Sequence, residues 1–582
     1  MSVAQPREDN PCRPRHFRPG PAGPELQEGP AKQWIETSRT RLIIAGALMA
    51  LAFLVIAGRL VEVSGFKAGD SRLAHNSAPA PILTSRADIV DRNGVLLATT
   101  LVTPSLFADP KEVLDAREAA KKLVQALPDL NEGEVYAKLT SDKSFVWIKR
   151  QLTPRQMAAV NALGIPGLDF QDEDKRIYPQ GSTFAHVVGY AGVDNKGLAG
   201  IERSFDDALR SRHAPLQLSV DLRIQAILRE EMAKQIAAFD AVGGSGLVMN
   251  VNTGEVLALV SLPDFDPNDP SASPIANLFN RVTLGTYEIG SVFKIFTVAM
   301  ALDDGVTTMN GGYDASHPIQ IGRFTIHDDH AQNRWLSVPE IFQYSSNIGA
   351  AKMAVDVGAD RQKEFLAKLG LLKAPNFELP EVAAPILPPV WHPVNVMTIG
   401  FGQGISVSPL QIATGVSAVV NGGIYHRATI LKLPANEPVA GRRVMSESTS
   451  LDMRKLLRLV VEKGTGKFAE APGYVVGGKT GTAEKVSGHG YAIHSLISSF
   501  AGAFPMNDPK YFIMISIDEP HGNKQSFGNA TGGWVAAPGV SRSVERMASL
   551  LGIQPVDEDS PEIRRSLMVG LPAPSGRKFA SN

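Results

Sequence analysis

The sequence holds a single cysteine, Cys12, so no intramolecular disulfide can form and a disulfide-stapled scaffold is excluded. It also lacks net charge. Fifty-eight basic residues against 59 acidic ones leave a formal charge of −1, which argues against nucleic acid as a main partner. The 12 histidines are scattered. Only His327-Asp328-Asp329-His330 gathers metal-ligating types. That short run on a loop, with no further ligands announced, reads as a solvated polar turn, and neither metal nor cofactor is expected. Long apolar runs are absent too, with one exception, Leu42 to Gly58.

That exception sits behind a distinct N-terminal stretch. Residues 1–40 carry seven prolines between Pro6 and Pro30, with Arg7, Arg13, Arg15 and Arg18, and few aliphatic residues. Such a composition cannot bury enough surface to offset chain entropy, so a disordered tail is expected. The run LIIAGALMALAFLVIAG has no charge and no proline, and at 1.5 Å per residue it covers about 26 Å. Leu60, Val61 and Val63 extend it while Arg59 can snorkel. Being apolar all round and lacking a small-x-small cleavage site, it reads as a transmembrane helix over 41–63 rather than a core helix or a cleaved signal. Lys32, Arg39 and Arg41 precede it. The positive-inside rule then puts the N-terminus in the cytoplasm and the rest outside, in the periplasm for an inner-membrane anchor.

At 582 residues the chain has room for several domains. Residues 64–225 mix short strands and amphipathic helices. Asp91-Arg92-Asn93-Gly94 reads as a hairpin whose Asn-Gly pair supplies positive φ angles, and Arg117 to Val124 as a surface helix. Nothing there looks catalytic, so a structural or partner-binding pedestal, of dimerisation type, is expected. From 226 to 552 strands occur at both ends, Ser245–Val251 with Val256–Val260 early and Ile497–Phe500 with Tyr511–Ile517 late, and helices lie between them. That is an α+β pattern: an antiparallel sheet flanked by helices with an all-helical insert. Residues 553–582, charged and proline-bearing, read as a flexible tail.

The insert carries the chemistry. Gly290-Ser291-Val292-Phe293-Lys294 followed by an apolar run reads as a turn feeding a buried helix, with Ser291 on its first turn. Lys294, three residues on, returns over the same face, and a lysine held in an apolar pocket can take a serine's proton. Ser-x-x-Lys alone is common. Ser345-Ser346-Asn347 and Lys479-Thr480-Gly481-Thr482 follow it in the order of the serine acyl-transferase set of penicillin-binding proteins and serine β-lactamases.

Further stretches resemble class B penicillin-binding proteins: Arg176-Ile177-Tyr178-Pro179, His186-Val187-Val188-Gly189-Tyr190, Gly200-Ile201-Glu202, Phe265-Asp266-Pro267-Asn268, Phe279-Asn280-Arg281 and Gly400-Phe401-Gly402-Gln403-Gly404. Within that class the chain is most similar to septal, FtsI-type transpeptidases. It departs from the family at Arg86-Ala87, where Arg-Gly is usual, and at Ile289, where proline is usual. The resemblance implies the penicillin-binding transpeptidase fold and, as substrate, the D-alanyl-D-alanine end of a peptidoglycan stem peptide on nascent glycan. It implies Ser291 as nucleophile, Lys294 as base, Ser345 as proton relay and Asn347 as the group fixing Lys294. Lys479 with Thr480 and Thr482, around Gly481, would hold the terminal carboxylate. The resemblance also implies β-lactams as inhibitors, and as partners the membrane, a SEDS glycosyltransferase (FtsW-like) and other divisome proteins.

Rival readings meet the same residues. A β-lactamase needs a further base, and no Glu-x-x-Leu-Asn lies between Asn347 and Lys479. Gly473 to Thr480 satisfies Walker A spacing, but Ala471-Pro472 before it and Gly481-Thr482 after it do not supply a buried strand and a helix. An elongation-type transpeptidase and a mainly scaffolding divisome protein remain as alternatives.

Overall fold

The computed structural model describes residues 44, 46–57 and 86–569, except 212, 213, 323, 436, 488 and 489, and leaves out the side chains of 486–494. Two compact units divide at Ile82/Leu83. In the first, residues 46–57 are helical and exposed. No helix among the described residues is long and apolar enough to cross a membrane. The expected tail 1–40, the flanks of the 41–63 segment and residues 64–85 lie outside the described residues.

The second unit begins with a pedestal built on one long strand. β1 (Ile89–Val90) turns into β2 (Leu96–Ala108), which pairs with β3 (Val146–Lys149) and β4 (Leu168–Ile177), while β1 also pairs in parallel with β5 (Leu216–Gln217). The hairpin is present, but only Gly94 takes positive φ (+85°), not Asn93. The Asp91 carboxylate forms the turn instead, accepting from Asn93 N and Val95 N at 2.8 Å each. The helix α1 (Ala116–Ala126) starts where Asp115 caps its free N–H groups, and it buries Ala119, Ala120 and Leu123 against Leu106 and Ile148. At the centre of the pedestal Glu202 bridges two buried arginines: it pairs with Arg86 and, at 2.7 Å, with Arg176. Arg86 also reaches Asp206 at 2.6 Å. Two family-like stretches, those of Arg176 and Glu202, therefore meet Arg86 in one buried ion network, which is costly unless fully paired.

The helix α2 (Leu222–Ala238), capped by Asp221, leads into a five-stranded antiparallel sheet. Its early strands are β6 (Gly243–Asn250) and β7 (Val256–Leu262); the later ones are β8 (Gly477–Ser487), β9 (Gly490–Phe504) and β10 (Tyr511–Asp518). The order is β8-β9-β10-β6-β7, so the early hairpin and the late strands close one sheet across more than two hundred residues of insert. Alternation explains the two cores. Val248, Ile513 and Ile515 face α2 and a C-terminal helix, Ala537–Met547, through Leu228, Met232, Val540 and Val544. Leu247, Met249, Phe512 and Met514 face the insert through Phe296, Val416 and Leu457.

The insert supplies α3 (Lys294–Asp303), α4 (Val338–Gln343), α5 (Asn347–Val357) and α6 (Glu447–Lys463). The expected all-helical insert is corrected: short antiparallel ribbons pair Gly312–Asp314 with Trp335–Ser337, Ile319–Ile321 with Phe324–Ile326 and Ile424–Tyr425 with Arg442–Arg443, bridging the loops between helices. The flexible tail expected from 553 is corrected for 553–567. A helix, α7 (Pro561–Leu567), follows a segment in which Glu558 binds Arg458 of α6 at 2.6 Å and Val556 N donates to Gly473 O at 2.9 Å. Buried arginine and apolar Leu567 give this charged stretch a place to dock.

Candidate active site

Three separate segments converge on one cluster. The nucleophile turn, Gly290–Phe293, is a tight 3₁₀ turn that runs straight into α3, whose first eight residues are all buried. The turn approaches β8 at backbone range. Gly290 has φ +53°, and a Cβ there would lie 2.5 Å from Thr482 O. Gly481 answers from the strand, where a Cβ would lie 2.3 Å from Ile289 O. On the other side Gly402, at φ +89°, would place a Cβ 2.0 Å from Gly290 O. The glycine-rich stretch 400–404 is therefore the floor on which the turn rests. Ile289, the departure from the family pattern, is buried and leaves the turn intact.

Ser345 sits between α4 and α5 with φ +62°, a left-handed conformation uncommon for a side-chain-bearing residue. Its neighbours hold it there. Ser346 caps α5, accepting from Gly349 N at 2.9 Å, and donates its own proton to Asp328 at 2.7 Å. Asp328 also accepts from Ile348 N at 2.9 Å, while Asn347 Nδ2 donates to His327 O at 3.0 Å. The His327–His330 run expected as a solvated turn is thus corrected at Asp328, a buried carboxylate that anchors the loop carrying Ser345 and Asn347. No cluster of possible metal ligands occurs among the described residues.

Lys294 Nζ lies 2.8 Å from Ser291 Oγ, 2.7 Å from Ser345 O, 3.2 Å from Ser345 Oγ and 2.6 Å from Asn347 Oδ1. A neutral amine has two N–H groups and one lone pair. Ser345 O and Asn347 Oδ1 are pure acceptors and take both N–H groups, leaving the lone pair for the Ser291 hydroxyl. Burial drives Lys294 down from 10.5 to about 7, against the pull of Asp328 and Asp329. Lys479 Nζ lies 2.9 Å from Ser345 Oγ, and burial followed by the charge of Lys294 holds it well below its ordinary value. Both lysines are fully enclosed, at 1% and 0% exposure, so they cannot both carry a proton without large cost until an anion arrives.

Lys479 occupies the interior of β8 and no helix follows it, which removes the Walker A reading. Thr480 Oγ1 lies 2.6 Å from Thr465 Oγ1, and Thr482 Oγ1 accepts from Gly532 N at 3.1 Å, leaving the Thr482 proton free to donate. Of the eight residues named from sequence, Ser291, Lys294, Ser345, Asn347 and Lys479 meet in this cluster, Gly481 packs against the nucleophile turn, and the Thr480 and Thr482 hydroxyls lie against Thr465 and Gly532. Sequence reasoning missed Asp328, Thr465, Gly532 and Glu288, whose carboxylate accepts from Gly404 N at 2.8 Å and ties the floor to the turn. Only Asp328 had a visible signal, its place among histidines.

The family model described as penicillin binding protein transpeptidase domain matches residues 244–542, half of the chain, and a second, penicillin-binding protein dimerisation domain, matches 81–237. The chain belongs to the penicillin-binding protein transpeptidase family. Among family members, it is 43% identical to the probable peptidoglycan D,D-transpeptidase FtsI of Caulobacter vibrioides, over 81% of this chain and 82% of that one. It is 30% identical to the peptidoglycan D,D-transpeptidase FtsI of Escherichia coli, over 89% and 92%. In structure it resembles penicillin binding protein 3 of Mycobacterium tuberculosis complexed with aztreonam, at TM-score 0.63 and 25% identity, covering 81% of this chain and 97% of that one.

Proposed function

We propose that the protein is a serine peptidoglycan D,D-transpeptidase that cross-links stem peptides during septal cell-wall synthesis and is a β-lactam target. The observation that carries the reading is Lys294 Nζ held between Ser291 Oγ and two pure acceptors, with Lys479 on the far side of Ser345. Neutral Lys294 takes the Ser291 proton as Oγ attacks the penultimate carbonyl. General-base help of this kind is worth about 10²–10⁴ in rate. The oxyanion lies against the backbone N–H groups of Ser291 and Thr482, each donor worth on the order of 10²–10³. Lys479, with the Thr480 and Thr482 hydroxyls, receives the terminal carboxylate, and the incoming charge restores the proton on Lys479 that burial disfavours. Ser345, between the two amines, passes a proton to the leaving D-alanine nitrogen, and Asn347 fixes Lys294. An amine from a second stem peptide then takes the acyl group. A β-lactam acylates Ser291 but keeps its leaving nitrogen tethered, so the adduct persists.

The run 41–63 is assigned as a single inner-membrane anchor with residues 1–40 cytoplasmic and the folded part periplasmic; its all-apolar sequence and preceding basic residues support this. The anchor and the pedestal are the places for an FtsW-like glycosyltransferase and other divisome proteins. Labelling with a fluorescent penicillin tests the chemistry: Ser291→Ala abolishes the adduct, and labelling that survives removes the nucleophile. Depletion in cells tests the role, since filaments fit septal work and rounded cells fit elongation.

A further inference from the structure

Beside the threonines assigned to the terminal carboxylate lies a group of aromatic rings that acylation does not use. Phe468, in the 3₁₀ turn Lys467–Ala469, and Trp534, in the short helix Gly532–Val535, have ring centroids 4.7 Å apart. Phe527 meets Trp534 edge-on at 5.9 Å, and Lys467 Nζ stands 5.1 Å over the Phe468 ring. Phe468 is 37% exposed and Phe527 is 81% exposed. Two exposed phenylalanines in tilted and edge-on contact with a half-buried tryptophan, beside a cationic side chain, mark a binding surface rather than a stray core residue.

Both segments are tied to the carboxylate end of the groove. Gly532 N donates to Thr482 Oγ1, and a Cβ on Gly533 would lie 2.5 Å from Thr465 O and 3.7 Å from Thr480 Cγ2. Thr465, two residues before Lys467, shares its hydroxyl with Thr480. The rings are therefore carried by the two segments that pack against Thr480 and Thr482, the threonines assigned to the departing residue's carboxylate.

Direction then follows from the chemistry, given the transpeptidase reading above. The acyl chain remains esterified to Ser291, and the D-alanine amine leaves toward Lys479, Thr480 and Thr482. Deacylation by an amine is the reverse of that departure, so the acceptor nitrogen must come in along the same line. Its C–N bond forms as the C–Oγ bond breaks, and one proton passes from nitrogen through the Lys294–Ser345 pair to Ser291 Oγ. Nothing is oxidised or reduced. We propose that Phe468, Phe527 and Trp534, with Lys467, form the platform that seats the acceptor stem peptide. The rings cover its aliphatic side chains, and the Lys467 ammonium meets one of its carboxylates.

The test separates donor from acceptor. The full-length protein in detergent is acylated by a fluorescent penicillin, and in parallel it turns over an acyl-D-alanyl thioester donor, whose thiol leaves in place of the terminal D-alanine, with a stem tetrapeptide as added amine. Wild-type protein gives amide and hydrolysis product in a ratio that rises with tetrapeptide. In Trp534→Ala, and in the double variant with Phe468→Ala, the tetrapeptide concentration for half-maximal amide formation rises about three- to tenfold per ring removed, while penicillin acylation stays within about threefold. Trp534→Phe recovers most of the loss. Phe527→Ala, at so exposed a position, tests the platform without a folding risk and shifts the ratio in the same direction. Acylation falling in step with amide formation would assign the rings to the donor and overturn the proposal, as would an unchanged ratio. A wild-type protein that takes no penicillin label at Ser291 would instead fail the transpeptidase reading itself.

Discussion

Acylation should switch on with pH, because the base proposed for it, Lys294, loses its proton near neutrality. Burial lowers Lys294 from 10.5 to about 7 in the folded protein. The neutral fraction is then about one tenth at one unit below that value and about nine tenths at one unit above, so the acylation rate rises about tenfold between pH 6 and pH 8. The same shift has a sign for stability. Between about 7 and 10.5 the unfolded chain binds a proton at this position that the native state refuses, so stability from Lys294 rises with pH across that window and is flat on either side. The full difference is on the order of 5 kcal/mol for a completely enclosed amine. Two assays read it. The rate constant for a fluorescent penicillin is followed from pH 5.5 to 9, and urea midpoints of wild type and Lys294→Met are compared at pH 7 and pH 10. Lys294→Met abolishes acylation, and its stability advantage over wild type shrinks as pH rises. A rate flat across pH 6–8, or an advantage that grows with pH, refutes the reasoning.

Other changes probe the scaffold of the site. Gly290→Ala forces a Cβ onto Thr482 O in a left-handed conformation; at about 1–3 kcal/mol of strain, acylation should fall roughly 5- to 150-fold by stopped-flow labelling. Asp328→Ala strands Ser346 and Ile348 N, costing about 1–3 kcal/mol by thermal unfolding and slowing acylation as Ser345 loses its hold. Glu558→Ala removes one of the carboxylates around Arg458 and the acceptor for Gly473 N; stability drops by about 1 kcal/mol, and limited proteolysis after residue 552 speeds up.

Much of this site was legible because its motifs are chemical. Ser291, Lys294, Ser345, Asn347 and Lys479 each need a particular functional group, and the order of the segments announces them. The short apolar runs Leu247–Val251 and Phe512–Ile517 likewise announced a sheet built from both ends of the domain. What sequence hid was burial by tertiary context. Asp328 looks like any polar loop residue until Ser346 and Ile348 close on it. Residues 553–567 have the composition of a loose tail, yet Arg458, enclosed on α6, gives their charges a partner. In the hairpin at 91–94 an aspartate carboxylate replaced the second positive φ that Asn-Gly pairs usually supply. The aromatic platform was invisible because Phe468 and Trp534 are more than sixty residues apart and neither belongs to a motif.

The nucleophile turn is gripped by bare backbone on two sides, with Thr482 O and Gly402 so close to Gly290 that no side chain fits between. This removes an option from any lineage under antibiotic pressure. Changes that would loosen the serine's grip on a drug by reshaping its immediate bed also dislodge the serine from its own base, so such variants lose cell-wall synthesis along with drug sensitivity. Tolerated escape routes are therefore displaced outward, to side chains on the rim, where geometry can drift without moving the turn itself.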